Sequence, residues 1–373
     1  MTGKNNIPII VEDKYTVSNW CKETLLSLKK EAHKSKFTLE EISAGDIGGL
    51  KDKTVMILGT DGAWIEKTIQ KVLSQNAKPM LLCAEPMDFG NNIYSISPDR
   101  IDTMICCIRY LLEAGRKQIA LFGINEKATS DVIKRKAFIS CIKEFSLNSF
   151  TEQDIYCNDG AIDKCFESFL PSADKYNAVI CANDAAAIYL INRIKECGKT
   201  VPGDLFVIGN GNTKLGSMVS PTLTTITLNV IQVAHHAIRL YRYLFNQNPL
   251  HSLHVTIPTE ILVRESTGGF KDEQLTSKQS DIPKNNNSVS DKFFSDSEIR
   301  EFFILENMFN DCDNIDYRII SGLMNNKSQE SLADELYISI NTLQYRIKKM
   351  YVKLGIGRWE QFVKLLEKYS IKL

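Results

Sequence analysis

From residue 7 to residue 265 the chain alternates short β-branched or aliphatic runs with longer stretches of helical periodicity. Strands are expected at 7–11, 37–42, 54–58, 80–83, 118–122, 178–181 and 205–209, with helices at 20–33, 64–76, 100–114, 131–145, 185–197 and 231–245. Strand–helix alternation at this spacing requires parallel sheets with helices on both faces. The run is too long for one comfortable sheet, so two α/β lobes are the natural solution. Ligands of open α/β sheets sit at the carboxyl ends of the strands. The polar and aromatic residues at those ends are therefore the cleft candidates: Asp13, Tyr15, Asp61, Trp64, Asp99, Asn125 and Asn183. Trp64 or Trp20 could stack on an apolar face of a ligand, although aromatics in such places are more often core or rim. Asp184, next to Asn183, fits either the cleft or the cap of the helix that follows.

After this region the composition changes. Residues 266–290, STGGFKDEQLTSKQSDIPKNNNSVS, have the Gly, Ser, Asn, Lys and Asp content of a linker. The expected division is a sensor domain at 1–267, a flexible linker at 268–294 and a small all-α domain at 295–373. An apolar helical patch at 299–309 is expected either to pack under that last domain or to pair between subunits.

Residues 328–358, SQESLADELYISINTLQYRIKKMYVKLGIGR, read as two short helices joined by a tight turn. Leu332, Ala333 and Leu336 recur at helical spacing in the first. Tyr337, Ile338 and Ser339 break the pattern, and Ser339 stands where an N-cap belongs. Leu343, Ile347, Met350 and Leu354 then form one apolar stripe. The opposite side offers Asn341, Thr342, Gln344, Tyr345, Lys348 and Lys349. No acidic residue lies between Leu336 and Glu360, whereas Arg346, Lys348, Lys349, Lys353 and Arg358 are cationic. Such a helix suits phosphates, with amides near its N-terminus reaching base edges. The DNA-contacting candidates are Ser339, Asn341, Thr342, Gln344, Tyr345, Arg346, Lys348, Lys349 and Lys353, and the expected partner is double-stranded DNA.

These residues resemble the C-terminal helix-turn-helix of LuxR-type bacterial regulators. The likeness lies in Ser331-Leu332-Ala333 with Leu336, Ile338-Ser339, Thr342-Leu343 and Lys353-Leu354-Gly355-Ile356 with Arg358. Asn341-Thr342-Leu343-Gln344-Tyr345-Arg346 is equally similar to the purine-catabolism-regulator type. Both resemblances give the same role to the same helix.

The long domain resembles the effector-binding domain of the lactose/galactose-repressor family, itself similar to periplasmic sugar-binding proteins. The residues concerned are AVICANDAAAIYLINRIKECGKTVPGDLFVIGNGN at 178–212, Pro98-Asp99, the run from Tyr110 to Gly115, Pro221-Thr222-Leu223-Thr224-Thr225-Ile226 and Val263-Arg264-Glu265-Ser266-Thr267. The resemblance implies a two-lobed fold, a small ligand, often a sugar, in the cleft, and a homodimer. It also adds Lys134 and Asn210 to the cleft candidates. Lys134 stands where that family has a ligand-binding arginine, with neighbouring Arg135 as an alternative, and Gly211 where it has a ligand-binding aspartate. The family's N-terminal helix-turn-helix is not expected before this domain. A bidentate guanidinium has thus become a point-charge ammonium, and a carboxylate suited to sugar hydroxyls is missing.

Of the 373 residues, 24% are charged and 43% hydrophobic, an ordinary globular balance. Net charge is zero, so any nucleic-acid affinity must be local. From residue 316 onward, ten basic residues stand against six acidic ones. No secretion signal or membrane-length apolar run is present, and the ten cysteines are scattered without a CxxC pair. The expectation is a cytoplasmic protein that does not engage membranes. No G-x-S-x-G, P-loop or HExxH motif occurs, so neither enzymatic activity nor a cofactor or metal is expected. Two other classes remain. A phosphorylation-controlled response regulator would use Glu12, Asp13 and Asp61 as an acidic pocket, but the domain is about twice a receiver's length. A solute-binding protein would lack the DNA-binding-like tail.

Overall fold

A computed structural model describes residues 6–43, 48–86, 89, 92–145, 152–246, 251–269 and 296–371. The linker expected at 268–294 lies outside these residues except for Gly268 and Gly269. The α/β region forms two lobes, each built on a six-stranded sheet. In the first, β1 (Asn6–Val11), β2 (Thr38–Glu41), β3 (Thr54–Leu58), β4 (Lys78–Leu82), β5 (Tyr94–Pro98) and β11 (Leu253–Ile257) run in the order β11-β5-β4-β3-β1-β2, all parallel.

Alternate side chains leave opposite faces of a strand, and both faces of this sheet are buried, so its central strands read as continuous aliphatic runs. Ile7, Ile9, Met56, Leu58, Met80 and Leu82 meet α1 (Asn19–Lys34) and α7 (Val230–Asn246) on one side. Ile10, Val55, Ile57 and Leu81 meet Ile65, Ile69 and Val72 of α2 (Gly62–Ser74) on the other.

The second lobe contains β6 (Ile119–Ile124), β7 (Ile155–Cys157), β8 (Ala178–Cys181), β9 (Phe206–Asn210), β10 (Thr224–Leu228) and β12 (Thr259–Leu262), in the order β12-β10-β9-β8-β6-β7. Only β12 is antiparallel to its neighbour among these pairings. Its helices are α3 (Arg100–Glu113), α4 (Thr129–Glu144), α5 (Ile162–Phe169) and α6 (Asp184–Glu196). The chain passes between lobes three times: after β5, after β10 and between β11 and β12. The crossings are tied together, since Asp99 N–H donates to the Ile257 carbonyl at 3.0 Å and the Thr103 and Thr259 hydroxyls lie 2.6 Å apart.

The expected strands are present, but β5, β7, β10, β11 and β12 exceed the expectation. β5 carries Ser95 and Ser97 among its apolar residues, and β7 has only three residues. β11 and β12 alternate exposed and partly buried positions at the sheet edges.

Five C-terminal helices follow: α8 (Ser297–Asn310), α9 (Asn314–Met324), α10 (Gln329–Glu335), α11 (Ile340–Leu354) and α12 (Trp359–Lys368). Ile299, Phe302, Leu305, Phe309, Ile319, Leu332, Leu343 and Phe362 are buried, and this core is continuous with that of the second lobe. α8 therefore packs on the lobes as well as under α11, beyond what its apolar pattern indicated. No helix among the described residues is long and apolar enough to cross a membrane.

Candidate functional site

In each sheet the strand order reverses beside a central strand, β1 in the first lobe and β6 in the second. The carboxyl ends at these switch points face one another across a cavity of about 460 Å³, a size suited to a small molecule. Tyr15, Asn125, Lys134, Asn183 and Asn210 line it, together with Trp20, Arg100, Asn212, Phe302, Phe303, Glu306 and Asn310.

Asp13, Asp61, Trp64 and Asp99 do not line the cavity, which corrects the expectation for these four. Asp13 is exposed in a 3-10 turn. Asp61 caps α2 by accepting the Trp64 N–H at 2.8 Å. Asp99 caps α3 in the same way, accepting the Asp102 N–H at 2.9 Å. Trp64 packs over Gly59 on the α2 side of the sheet, where any Cβ on that glycine would lie 2.7 Å from the indole. The buried Glu12, whose sequence context marks it only as an acid, accepts the N–H groups of Thr60 and Asp61 at 2.8 and 3.2 Å. Its carboxylate and that of Asp61 thus serve backbone donors rather than an acidic metal pocket. Among the described residues, no group of three His, Cys, Asp or Glu side chains is placed to hold a metal ion.

The two lobes also touch directly at one rim. Gly62 N–H donates to the Lys127 carbonyl at 2.9 Å and Thr129 N–H to the Thr60 carbonyl at 3.0 Å, a short antiparallel bridge between Asp61 and Ala128. Asp61 therefore belongs to a contact between lobes.

The two cations deepest in the cleft, Lys134 and Arg100, are paired within the protein. Lys134 Nζ donates to Asp131 Oδ1 at 2.8 Å and to the Ala182 carbonyl at 2.6 Å, both partners being buried. Arg100 pairs with Glu85 and donates to the Cys83 carbonyl at 2.9 Å. Burial pushes the Glu85 carboxyl above the usual range, opposed by the Arg100 charge.

Asp184 is not the helix cap. Asn183 takes that place, accepting the Ala186 N–H at 2.9 Å. Asp184 is buried and instead accepts the Thr213 N–H at 2.7 Å, the Thr213 hydroxyl at 3.0 Å and the Thr225 hydroxyl at 2.5 Å. Burial raises its pKa, and these hydrogen bonds oppose the rise. Gly211 lies directly in front of it at φ 134°, a conformation an aspartate would adopt only with strain. The missing cleft carboxylate is thus matched by a backbone that does not suit one. The remaining walls combine aliphatic and aromatic side chains with amides and hydroxyls, including a buried Thr60 hydroxyl with no hydrogen-bond partner.

In the C-terminal helices, Ser339 caps α11 by accepting the Thr342 N–H at 3.1 Å. The turn before it contains Tyr337 at φ 55°, with 96% of its surface exposed. Asn341, Thr342, Gln344, Tyr345, Lys348 and Lys349 are exposed along α11, while Leu343, Ile347 and Met350 are buried. Arg346 and Lys353 differ from these. Arg346 donates to Asp313 and Asp316 at 2.9 and 2.8 Å, and Lys353 pairs with Asp311. Acidic residues brought in from α9 and the turn before it, invisible to a charge count along α11 itself, engage these two cations.

Residues 108–267 match the family model described as "Periplasmic binding protein-like domain". The match spans β6 to β12 and includes the two later crossings between the lobes. The chain is 26% identical over 226 residues to the NTD biosynthesis operon regulator NtdR of Bacillus subtilis, covering 58% of this chain and 67% of that protein. It is 28% identical over 199 residues to catabolite control protein A of Priestia megaterium. That match covers 52% of this chain and 59% of the relative, so the chain spans less than two thirds of that protein. Among solved structures, the transcriptional regulator CelR–cellobiose complex superposes with a TM-score of 0.61 at 15% identity, over 70% of this chain and 84% of that one. The relatives are regulators of transcription, not enzymes. These matches support a periplasmic-binding-protein-like domain of the LacI-regulator type.

Proposed function

We propose that this chain is a transcription regulator in which the two-lobed domain binds a small neutral, polyhydroxylated molecule and the C-terminal helices bind DNA. The observation that carries this reading is the combination of a ligand-sized cleft with an exposed polar face on α11. On that helix Asn341, Thr342, Gln344, Tyr345, Lys348 and Lys349 are exposed, which supports assigning the first four to base edges and the two lysines to phosphates. Ser339 positions them by capping the helix. Arg346 and Lys353 take structural roles, fixing the helix on its neighbours. The class of helix-turn-helix is LuxR-type or purine-catabolism-regulator type, on the residues quoted for each resemblance.

The ligand class follows from the pairing of the cleft charges. Lys134 and Arg100 already pair with Asp131 and Glu85, so an anionic ligand would have to break an existing pair, and Asp184 is occupied by the Thr213 and Thr225 donors. Tyr15, Asn125, Asn183 and Asn210 offer hydrogen-bonding groups, and Trp20 an apolar ring, as a saccharide requires. The likeness to a cellobiose-bound regulator supports the same class. The regulator acts as a homodimer in the cytoplasm, which raises the effective concentration of the second α11 at paired half-sites. Titration of a labelled duplex with the full chain tests the reading. Salt-dependent binding is expected, and its absence on every duplex refutes it.

A further inference from the structure

We propose that α8 is a wall of the ligand cleft, so that a bound molecule contacts the DNA-binding helices directly through Phe303 and Asn310. This rests on the ligand-binding reading above. α8 lines the cavity with Phe302, Phe303, Glu306 and Asn310, although it lies beyond both sheets in the chain. Its other face is buried with α11 in one core.

The helix is fastened to both lobes. Toward the first, Lys22 Nζ donates to Asn307 Oδ1 at 2.7 Å, and Asn307 Nδ2 donates to the Val17 carbonyl at 3.3 Å. Toward the second, the buried Glu306 accepts the N–H groups of Lys214 and Leu215 at 2.9 and 2.8 Å. Asp296, at its N-terminus, accepts the Ile162 N–H at 3.1 Å. Lys214 Nζ also donates to the Phe309 carbonyl at 3.1 Å.

A hinge motion at the three crossings would move Val17 and Lys22 relative to Lys214 and Leu215. α8 cannot hold both sets of partners in both arrangements. The Glu306 contacts are charge-assisted and buried, the Asn307 contacts neutral on the α8 side and exposed, so α8 travels with the second lobe and releases the first. A ligand that touches both lobes and α8 favours the arrangement in which all three meet. The signal then passes through packed helices and needs no relay along the Gly-, Ser- and Asn-rich stretch before α8.

The test is hydrogen exchange on the full chain, with and without D-glucose, sucrose or cellobiose, combined with calorimetric titration of the same sugars. The wild type is compared with Glu306→Ala, Phe303→Ala and the lobe variant Asn125→Ala. Without sugar, Glu306→Ala should speed exchange at the Lys214 and Leu215 amides and along α8 by about tenfold or more, with β6, β8 and β9 unchanged. With sugar, wild-type α8 should gain protection, and Phe303→Ala should bind about tenfold more weakly. Unchanged exchange at Lys214, Leu215 and α8 in Glu306→Ala overturns the proposal. So does a sugar whose binding is weakened by Asn125→Ala but not by Phe303→Ala. If no sugar binds the wild type, the saccharide class fails, and the Glu306→Ala exchange result alone decides whether α8 is held as a wall.

Discussion

The guanidinium of Arg346 on α11 donates to the carboxylate of Asp316 on α9 at 2.8 Å. The same nitrogen reaches Asp313 at 2.9 Å, and these two acids form the reciprocal capping box of α9. One cation thus locks the start of one helix to the middle of another. It fixes the angle at which α11 is presented, which is a different task from meeting phosphate.

Arg346→Ala should therefore destabilise the C-terminal helices by about 2 kcal/mol, since it removes hydrogen bonds between charged groups and leaves the buried Asp316 without its counter-charge. Chemical denaturation followed through Trp359 fluorescence checks this. The slope of DNA affinity against salt should stay at the wild-type value. A shallower slope with unchanged stability would place Arg346 on the DNA instead.

Tyr337 holds a left-handed conformation at φ 55° while its side chain is almost wholly exposed. A side chain in that conformation costs about 1–2 kcal/mol, and glycine forfeits part of this gain through its freer unfolded chain. Tyr337→Gly should raise the denaturation midpoint of the C-terminal helices, by up to about 1 kcal/mol. A lowered midpoint would contradict this account of the turn.

Lys134 and Asp131 form a buried pair on the cleft wall. Lys134→Ala leaves the Asp131 carboxylate without its counter-charge and should cost about 3 kcal/mol of stability in the two-lobed domain. Lys134→Met, which keeps much of the volume, should not rescue it. Calorimetric melting reads the loss, and an unchanged melting temperature in both variants would show that the pair does not hold the cleft wall.

The lobes were legible because buried parallel strands must be aliphatic on both faces. β1, β3, β4, β6 and β8 satisfy that rule, whereas β5 and the edge strands do not. Helices α10 and α11 were legible for a related reason: Leu332, Leu343, Ile347 and Met350 recur at a helical period, and Ser339 is a capping residue. From strand ends alone the cleft was readable at Tyr15, Asn125 and Asn183, and the resemblance added Lys134 and Asn210. Asp61 and Trp64 stand at a strand end too, but local capping and packing on Gly59 draw them away. Glu306 and Phe303 were beyond reach, since nothing in an apolar helical pattern says that its helix will lie across two lobes far earlier in the chain. Arg346 carried the same difficulty: its partners come from another helix.

Glu23, at the rim of the cleft on α1, has its pKa raised by burial and by the charge of Glu306. A carboxyl with a raised folded-state pKa contributes stability that is present below its unfolded value and lost as pH rises through its folded value. Glu23→Gln should remove that dependence. The melting-temperature difference, variant minus wild type, should therefore grow as pH rises through the folded-state pKa of Glu23. A difference that stays flat or shrinks with rising pH would show that Glu23 and Glu306 do not oppose one another there.

The central claim is that α11 meets DNA, and its most direct test is fluorescence anisotropy of a labelled duplex titrated across a range of salt concentrations. Wild-type full chain is compared with the double variant Lys348→Ala/Lys349→Ala, whose residues are exposed and away from the buried stripe. The account predicts binding that weakens with salt, and a slope made shallower in the double variant by about two per bound protomer, about four for the homodimer, one for each lysine that no longer meets a phosphate. An unchanged slope, or no salt-dependent binding by the wild type, would contradict it.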